Sequence, residues 1–194
     1  MGARTPKTAD RRVQRTHRTL RQSLISLMLE RGWDDVSVQD VCEHADVGRS
    51  TFYMHFADKE DLLVAGFNDL RKAIREQLAA TVEPGQPLPF ARGMIEHACE
   101  HQRLFKALVG RRSGQVVLAR FRTLVLELVR EDLNLAAKIP TGVAREVASQ
   151  FITGGFLGLL TWWIEERQAL PPAEIERWFL QMATPALRAL QGAR

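Results

Sequence analysis

Nine consecutive residues, GRSTFYMHF at positions 48–56, bring together a glycine, a guanidinium, two hydroxyls, three aromatic rings and an imidazole. On a short helix Phe52 and Phe56 stand four apart and share one face. Arg49, Ser50, Thr51, Tyr53 and His55 then spread over the remaining arc. Such an arc has the chemistry of a duplex reader. Arginine pairs bidentately with guanine O6 and N7, hydroxyl and imidazole groups donate to phosphate oxygens, and a threonine methyl meets a thymine methyl. The same residues also suit an ordinary amphipathic helix with a solvated side, so the neighbouring sequence has to decide.

Three neighbours favour the duplex. SVQD at 37–40 is a capping box with Asp in place of Glu, and it opens a short helix whose Val38, Val41, Cys42 and Ala45 point inward. Gly48 then marks a tight turn before the 49–56 helix. Two short helices across such a turn, braced by a preceding helix, have the layout of a helix-turn-helix, whose second helix enters the major groove. DKED at 58–61 caps a further helix and puts Lys59 in its first turn, where a cation opposes the helix dipole unless an anion is present. A DNA phosphate would supply that anion. Finally, Arg4, Lys7, Arg11, Arg12, Arg15, Arg18 and Arg21 face only Asp10 within the first 21 residues, although the whole chain carries just +4. A basic arm of this kind is either a solvated tail or a polyanion-binding segment.

Residues 12–70, and SVQDVCEHADVGRSTFYMHFADKEDLL at 37–63 in particular, resemble the DNA-binding domain of the TetR family of transcriptional repressors. The resemblance implies that Arg49, Ser50, Thr51 and His55 face bases or nearby phosphates. It implies that Tyr53 and Lys59 hold the DNA backbone and that Ser37, Val38 and Gln39 present the start of the second helix to phosphate. Val38 departs from the hydroxyl residue that several relatives carry there. FITGGFLGLLTWWIEERQALPPAEIERWF at 151–179 resembles the Gly-rich helix, Trp pair and following amphipathic helix of the subgroup that regulates dihydroxyacetone kinase operons.

Apolar positions recur at helical spacing along nearly the whole chain, and no segment alternates strictly between tight turns, so the expected fold is all-α. Helices are expected at 12–31, with Gly32 as its stop, at 37–47, 49–56 and from 58, where Leu63, Phe67, Leu70, Ile74 and Leu78 line one side. EPGQPLP at 83–89 breaks the pattern. Further helices are expected near 90–101, 103–109, 114–138, 141–168 and 173–191, about nine in total. The organisation is therefore an N-terminal arm with a three-helix helix-turn-helix domain at 1–70, followed by a C-terminal helical bundle at 71–194 for effector binding and dimerisation.

In that second region Gly154 and Gly158 lie one turn apart and strip side chains from a helix, which lets another helix come close. Glycine inside a helix costs roughly 1 kcal/mol against alanine, so a close contact has to compensate, either within one subunit or across a dimer interface that also includes Trp178. A two-fold dimer would set its recognition helices one DNA turn apart and read a palindrome. Phe105, Phe121, Phe151 and Trp162, with Phe156 and Trp163, are candidate walls of an effector pocket, against the plain reading that they form core. His97 and His101, four apart, have the spacing of metal chelators. They sit beside Glu96 and Glu100 on the polar side of their helix and read as a solvated face, so no metal and no cofactor is expected.

Forty-five per cent of the 194 residues are hydrophobic, which suits one or two compact domains. Cys42 and Cys99 are too few for a disulfide framework and lack metal-site pairing, in keeping with a reducing cytoplasm. No export signal opens the chain, and the apolar stretch 151–164 is short for a bilayer span, so it reads as a buried helix and no membrane partner is expected. GxSxG, P-loop, GxGxxG and HExxH patterns are absent, which argues against an enzyme. The resulting expectation is a homodimeric repressor that binds double-stranded DNA and is released by a small-molecule effector. A helical protein-binding adaptor is the alternative, and it leaves the basic arm and Lys59 unexplained.

Overall fold

The computed structural model describes residues 6–79, 86–109, 114–135, 141–165 and 170–192, and every regular element among them is helical. In chain order these are α1 (Pro6–Arg31), α2 (Val38–Ala45), α3 (Arg49–Tyr53), α4 (Lys59–Ala79), α5 (Phe90–Glu100), α6 (Gln102–Val109), α7 (Gly114–Leu135), α8 (Val143–Glu165) and α9 (Pro172–Gly192). The first helix starts six residues earlier than its apolar periodicity suggests. Pro6 opens it, as proline can at a first helical position, so the expected basic arm is for the most part the first turns of α1. Its Arg4 lies outside the described residues, as do 136–138 and 166–168, the expected ends of the seventh and eighth helices.

Caps written in the sequence set the element boundaries. Gly32 ends α1 with φ of 88°, its N–H donating to the Met28 carbonyl at 3.0 Å. Ser37 and Asp40 close the expected capping box on α2: the Asp40 N–H donates to Ser37 Oγ at 3.1 Å, and the Ser37 N–H donates to Asp40 Oδ2 at 2.8 Å. At the start of α4, Asp58 accepts from the Asp61 N–H at 2.8 Å, and Asp61 in turn accepts from the Ala57 N–H at 3.0 Å.

Leu20, Leu24, Leu27 and Met28 of α1, Val41, Cys42 and Ala45 of α2, Phe52, Phe56 and Leu62 form the N-terminal core. Val13, expected on the same face of α1, is exposed. α4 runs without interruption through position 70, so the two expected regions share one helix, whose later turns pack on α5 and α7. Gly93 permits the close approach of α5: a Cβ there would stand 2.9 Å from Ile74 Cγ2. A polar clamp completes that joint. Arg75 of α4 donates to Asp132 Oδ1 at 2.6 Å, to Glu131 Oε2 at 2.7 Å and to the Leu128 carbonyl at 2.8 Å, while Asp132 Oδ2 accepts the Phe90 N–H at 3.0 Å. Arg71 adds ion pairs to Glu127 and Glu131. Asp132 is buried, and burial pushes its carboxyl above the ordinary range despite these donors.

α8 corrects the expectation of a wholly buried helix. It spans 23 residues and, by length and composition, could cross a bilayer, but one face is packed into the chain's own core through Ile152, Phe156, Leu160 and Trp163. The opposite stripe, Val143, Val147, Phe151, Gly154, Gly155, Gly158 and Trp162, faces outward.

Candidate nucleic-acid interface and adjoining cleft

The turn between α2 and α3 is made by Asp46 in the left-handed region at φ of 51°, its N–H directed to the Cys42 and Glu43 carbonyls. Asp tolerates that conformation better than most residues. Gly48 follows in an extended conformation as the N-cap of α3. The helix is shorter than its pattern suggests, ending at Tyr53, and a turn carries the chain through Met54 and His55.

Phe52 and Phe56 anchor this segment, both buried. Around them Arg49, Ser50 and Tyr53 are exposed, and Thr51 and His55 are partly so. Arg49 has no ion-pair or hydrogen-bond partner among the described residues. Tyr53 packs its ring edge-on to Phe52 at 5.4 Å, which fixes the phenol's direction while half of the residue stays in solvent. One face therefore anchors, and the other presents a guanidinium, hydroxyls and a phenol.

His55 is less free than its position in the motif suggests. Its ring meets His17 of α1 at 4.8 Å, nearly perpendicular, and His17 also lies 4.7 Å from the Phe56 ring. Nε2 of His17 is buried with no hydrogen-bond partner. Burial, then the charges of His55 and Arg21, lower the His17 pKa. Sequence spacing alone gives no sign of this pairing, because the partners are 38 residues apart and meet only when α1 crosses the turn after α3.

The other expected contacts divide in two. Gln39 is exposed and donates to Glu43 Oε1 at 2.8 Å, and Val38 is half-buried against the core. Ser37 is exposed, but its hydroxyl is engaged with Asp40, whose carboxyl is held below the ordinary range by that bond, by the Ser37 N–H and by Arg31. Lys59 needs no phosphate to explain it. Its Nζ donates to the Trp33 carbonyl at 2.8 Å and the Val36 carbonyl at 2.7 Å, and sits 4.5 Å from the centre of the Trp33 ring. Burial lowers its pKa, with Asp34, Asp35 and Asp40 opposing. Backbone carbonyls of the α1–α2 loop thus offset the cation that the dipole argument assigned to DNA, and one N–H remains uncommitted.

A cleft of about 850 Å³ lies behind this unit, where α1 and α4 meet α5 and α6. Leu24, Ile25, Met28, Leu63, Phe67 and Leu104 give it an apolar wall, and Arg18, Gln22, His97 and His101 are among its polar groups. Of the aromatic residues expected to line a pocket, Phe105 borders this cleft. Phe121 is buried behind it, edge-on to Phe105 at 5.6 Å. Phe151 and Trp162 lie on the outer stripe of α8, away from the cleft, because a step of about 100° per residue turns them outward when Ile152 and Trp163 face the core. Phe156 packs with Phe90 and Phe179 in the core, and the indole of Trp163 donates to the Leu170 carbonyl at 3.1 Å. At Gly154 and Gly158 a Cβ would meet nothing within 4 Å, so close packing among the described residues is not their role; Trp178 is half-exposed on α9.

Residues 23–65 match the family model described as bacterial regulatory proteins of the tetR family, and residues 85–185 match one described as a transcriptional regulator C-terminal region. The chain belongs to the TetR family. It is 24% identical over 182 residues to the uncharacterized HTH-type transcriptional regulator YxbF of Bacillus subtilis, covering 90% of this chain and 46% of that protein. It spans about half the length of the curated relatives it matches. The solved TetR regulator of Streptococcus agalactiae is similar across 91% of this chain and 98% of its own, with 27% identity and a TM-score of 0.67. The FadR repressor of Thermus thermophilus, solved with lauroyl-CoA, shares the fold at a TM-score of 0.59 and 18% identity, over 88% of this chain and 94% of that one.

Proposed function

We propose that this chain is a cytoplasmic, homodimeric transcriptional repressor that grips operator DNA with α3 and releases it when a small molecule occupies the cleft between α1, α4, α5 and α6. The observation that carries the reading is the polarity of the 48–56 segment: Phe52 and Phe56 are sealed in the core while Arg49, Ser50 and Tyr53 project together into solvent. Arg49 and Thr51 are assigned to bases, and Ser50, Tyr53, His55, Gln39 and the start of α2 to phosphates and their surroundings. Residues 1–70 act as the DNA-binding unit and 71–194 as the effector and dimer unit, with α4 as their shared lever.

The cleft supports the effector part, since it touches both α1 and α4 on one side and α5 and α6 on the other. A ligand there acts only through differential affinity for the DNA-competent and released forms. That FadR was solved with lauroyl-CoA makes an apolar effector a natural class to screen. The dimer part is supported by the outward stripe of α8, apolar except for its glycines, beside Trp178 and Met182 of α9. Contiguous exposed apolar surface of this kind marks an interaction site. The 151–179 resemblance supports placement with regulators of dihydroxyacetone kinase operons.

Selection of duplexes from a random pool, followed by gel-shift titration at several salt concentrations, tests the reading. A palindromic consensus with a negative salt slope is the expected result. Failure to retain any oligonucleotide at low ionic strength would remove the repressor account.

A further inference from the structure

His97, Glu100 and His101 occupy positions i, i+3 and i+4 at the end of α5, so all three side chains leave one face of the helix. α5 stops at Glu100, and His101 is its C-cap, with φ of −117° and ψ of 39° and its N–H donating to the His97 carbonyl at 3.0 Å. The two imidazole centres stand 4.4 Å apart, and one donor atom from each of the three residues lies within 4.8 Å of the others. His97 is half-buried with its ring edge-on to Phe105 at 5.8 Å, unlike the solvated position its sequence neighbours suggested. Glu96 is turned away, accepting from Gln77 at 2.9 Å. No described residue hydrogen-bonds or ion-pairs with the side chains of His97, Glu100 or His101.

We infer that His97, Glu100 and His101 form a binding site for a divalent transition-metal ion of the zinc class, at the wall of the cleft between α1, α4, α5 and α6. Two imidazoles and a carboxylate are a borderline-soft donor set that suits zinc and nickel better than magnesium or calcium. Tetrahedral ligation with bonds of about 2.0–2.1 Å brings donor atoms to roughly 3.4 Å of one another, a closure of about 1.4 Å at most that side-chain torsions supply. Glu100 contributes negative charge, and Arg21, a cation of the same cleft, is already paired with Asp69. Three protein ligands leave a coordination position open, and His97 and His101 line the cleft, so an effector with a donor atom can complete the shell. Only this last consequence rests on the repressor reading; metal binding itself does not.

The test is calorimetric titration of the full chain with zinc sulfate alone, repeated with cobalt to record the visible spectrum. One ion per chain is expected, with the intense d–d absorption of a tetrahedral nitrogen and oxygen site. His101→Gln and Glu100→Gln, at exposed positions, are each expected to weaken binding at least tenfold while far-UV dichroism and Tm in chelator stay those of the parent; His97→Gln is expected to do the same and is not needed if it misfolds. Absence of zinc binding, or binding unchanged in His101→Gln and Glu100→Gln, overturns the site. Loss of binding in Cys99→Ser alone would assign the ion to the thiol and overturns it too. A DNA gel shift with and without zinc then reads the regulatory consequence separately, because the calorimetry contains no DNA.

Discussion

The ammonium of Lys59 donates to the carbonyl of Trp33 at 2.8 Å while lying 4.5 Å from the centre of that residue's indole ring. One side chain thus ties the first turn of α4 to the loop that positions α2, holding the helix-turn-helix against the helix that leads into the C-terminal region. Lys59→Met keeps the stem and removes two hydrogen bonds from a charged donor. Each such bond contributes about 1.5–3 kcal/mol, discounted here because the group is partly solvated, so a loss of about 2 kcal/mol in urea unfolding is the expected result. DNA affinity should fall with it, and the salt slope should change by less than one counterion, since the ammonium is committed to carbonyls.

On the proposed reading face, Arg49→Ala and Tyr53→Phe should separate in kind. Loss of a bidentate base contact costs about 1–3 kcal/mol and relaxes preference at one position of each half-site. Loss of the phenol hydroxyl weakens all sequences alike. Gel shifts against the selected operator and single-base variants of it distinguish the two patterns.

Asp132 joins Arg75 of α4 to the N–H of Phe90 at the start of α5. Asp132→Ala leaves the buried Phe90 N–H without its acceptor and takes from Arg75 one of its three, Glu131 and the Leu128 carbonyl remaining, so about 3 kcal/mol of stability should be lost. For a chain of this length that lowers Tm by roughly 6–12 °C. Asp132→Asn, which can still accept from Phe90, should lose less in the same calorimetric scan.

Acidification should destabilise the N-terminal unit through His17. Its pKa in the folded chain lies below the ordinary 6.5 because burial and neighbouring positive charge disfavour the imidazolium. The unfolded chain therefore binds more protons below that value. Stability is fully present above about pH 6.5 and falls as pH drops through it toward the folded value. His17→Phe preserves a ring against His55 and Phe56 without a titrating group. Its Tm should decline less than the parent's between about pH 7.5 and about pH 5.5, where histidine is the side chain that titrates.

Phe151 and Gly158 lie on the outward stripe of α8. Phe151→Glu or Gly158→Glu puts a charge into the proposed dimer seam, and light scattering should then report about 22.0 kDa instead of twice that mass. Neither change touches the buried face, so far-UV dichroism should be unchanged. A parent that already scatters as a monomer would contradict the seam.

Local chemistry made much of this protein legible from its sequence. The capping box of Ser37 and Asp40, the Gly48 turn, the Asp58 cap and the inward pair Phe52 and Phe56 are decided within a few residues of chain, because caps and helical periodicity are short-range. The bounds of α2, α3 and α4 and the two-sided build of α3, with Phe52 inward and Arg49 and Tyr53 outward, follow from these short-range signals. What required the folded chain involves partners far apart in sequence. Lys59 finds carbonyls 26 and 23 residues earlier, His55 meets His17, and Arg75 reaches Asp132 on another helix. The aromatic residues divided between core, cleft and outer stripe for the same reason: composition says that a ring will be covered, but only the phase and crossing of whole helices decides by what. Phe105 therefore borders a cleft, Phe121 lies behind it, and Phe151 faces outward.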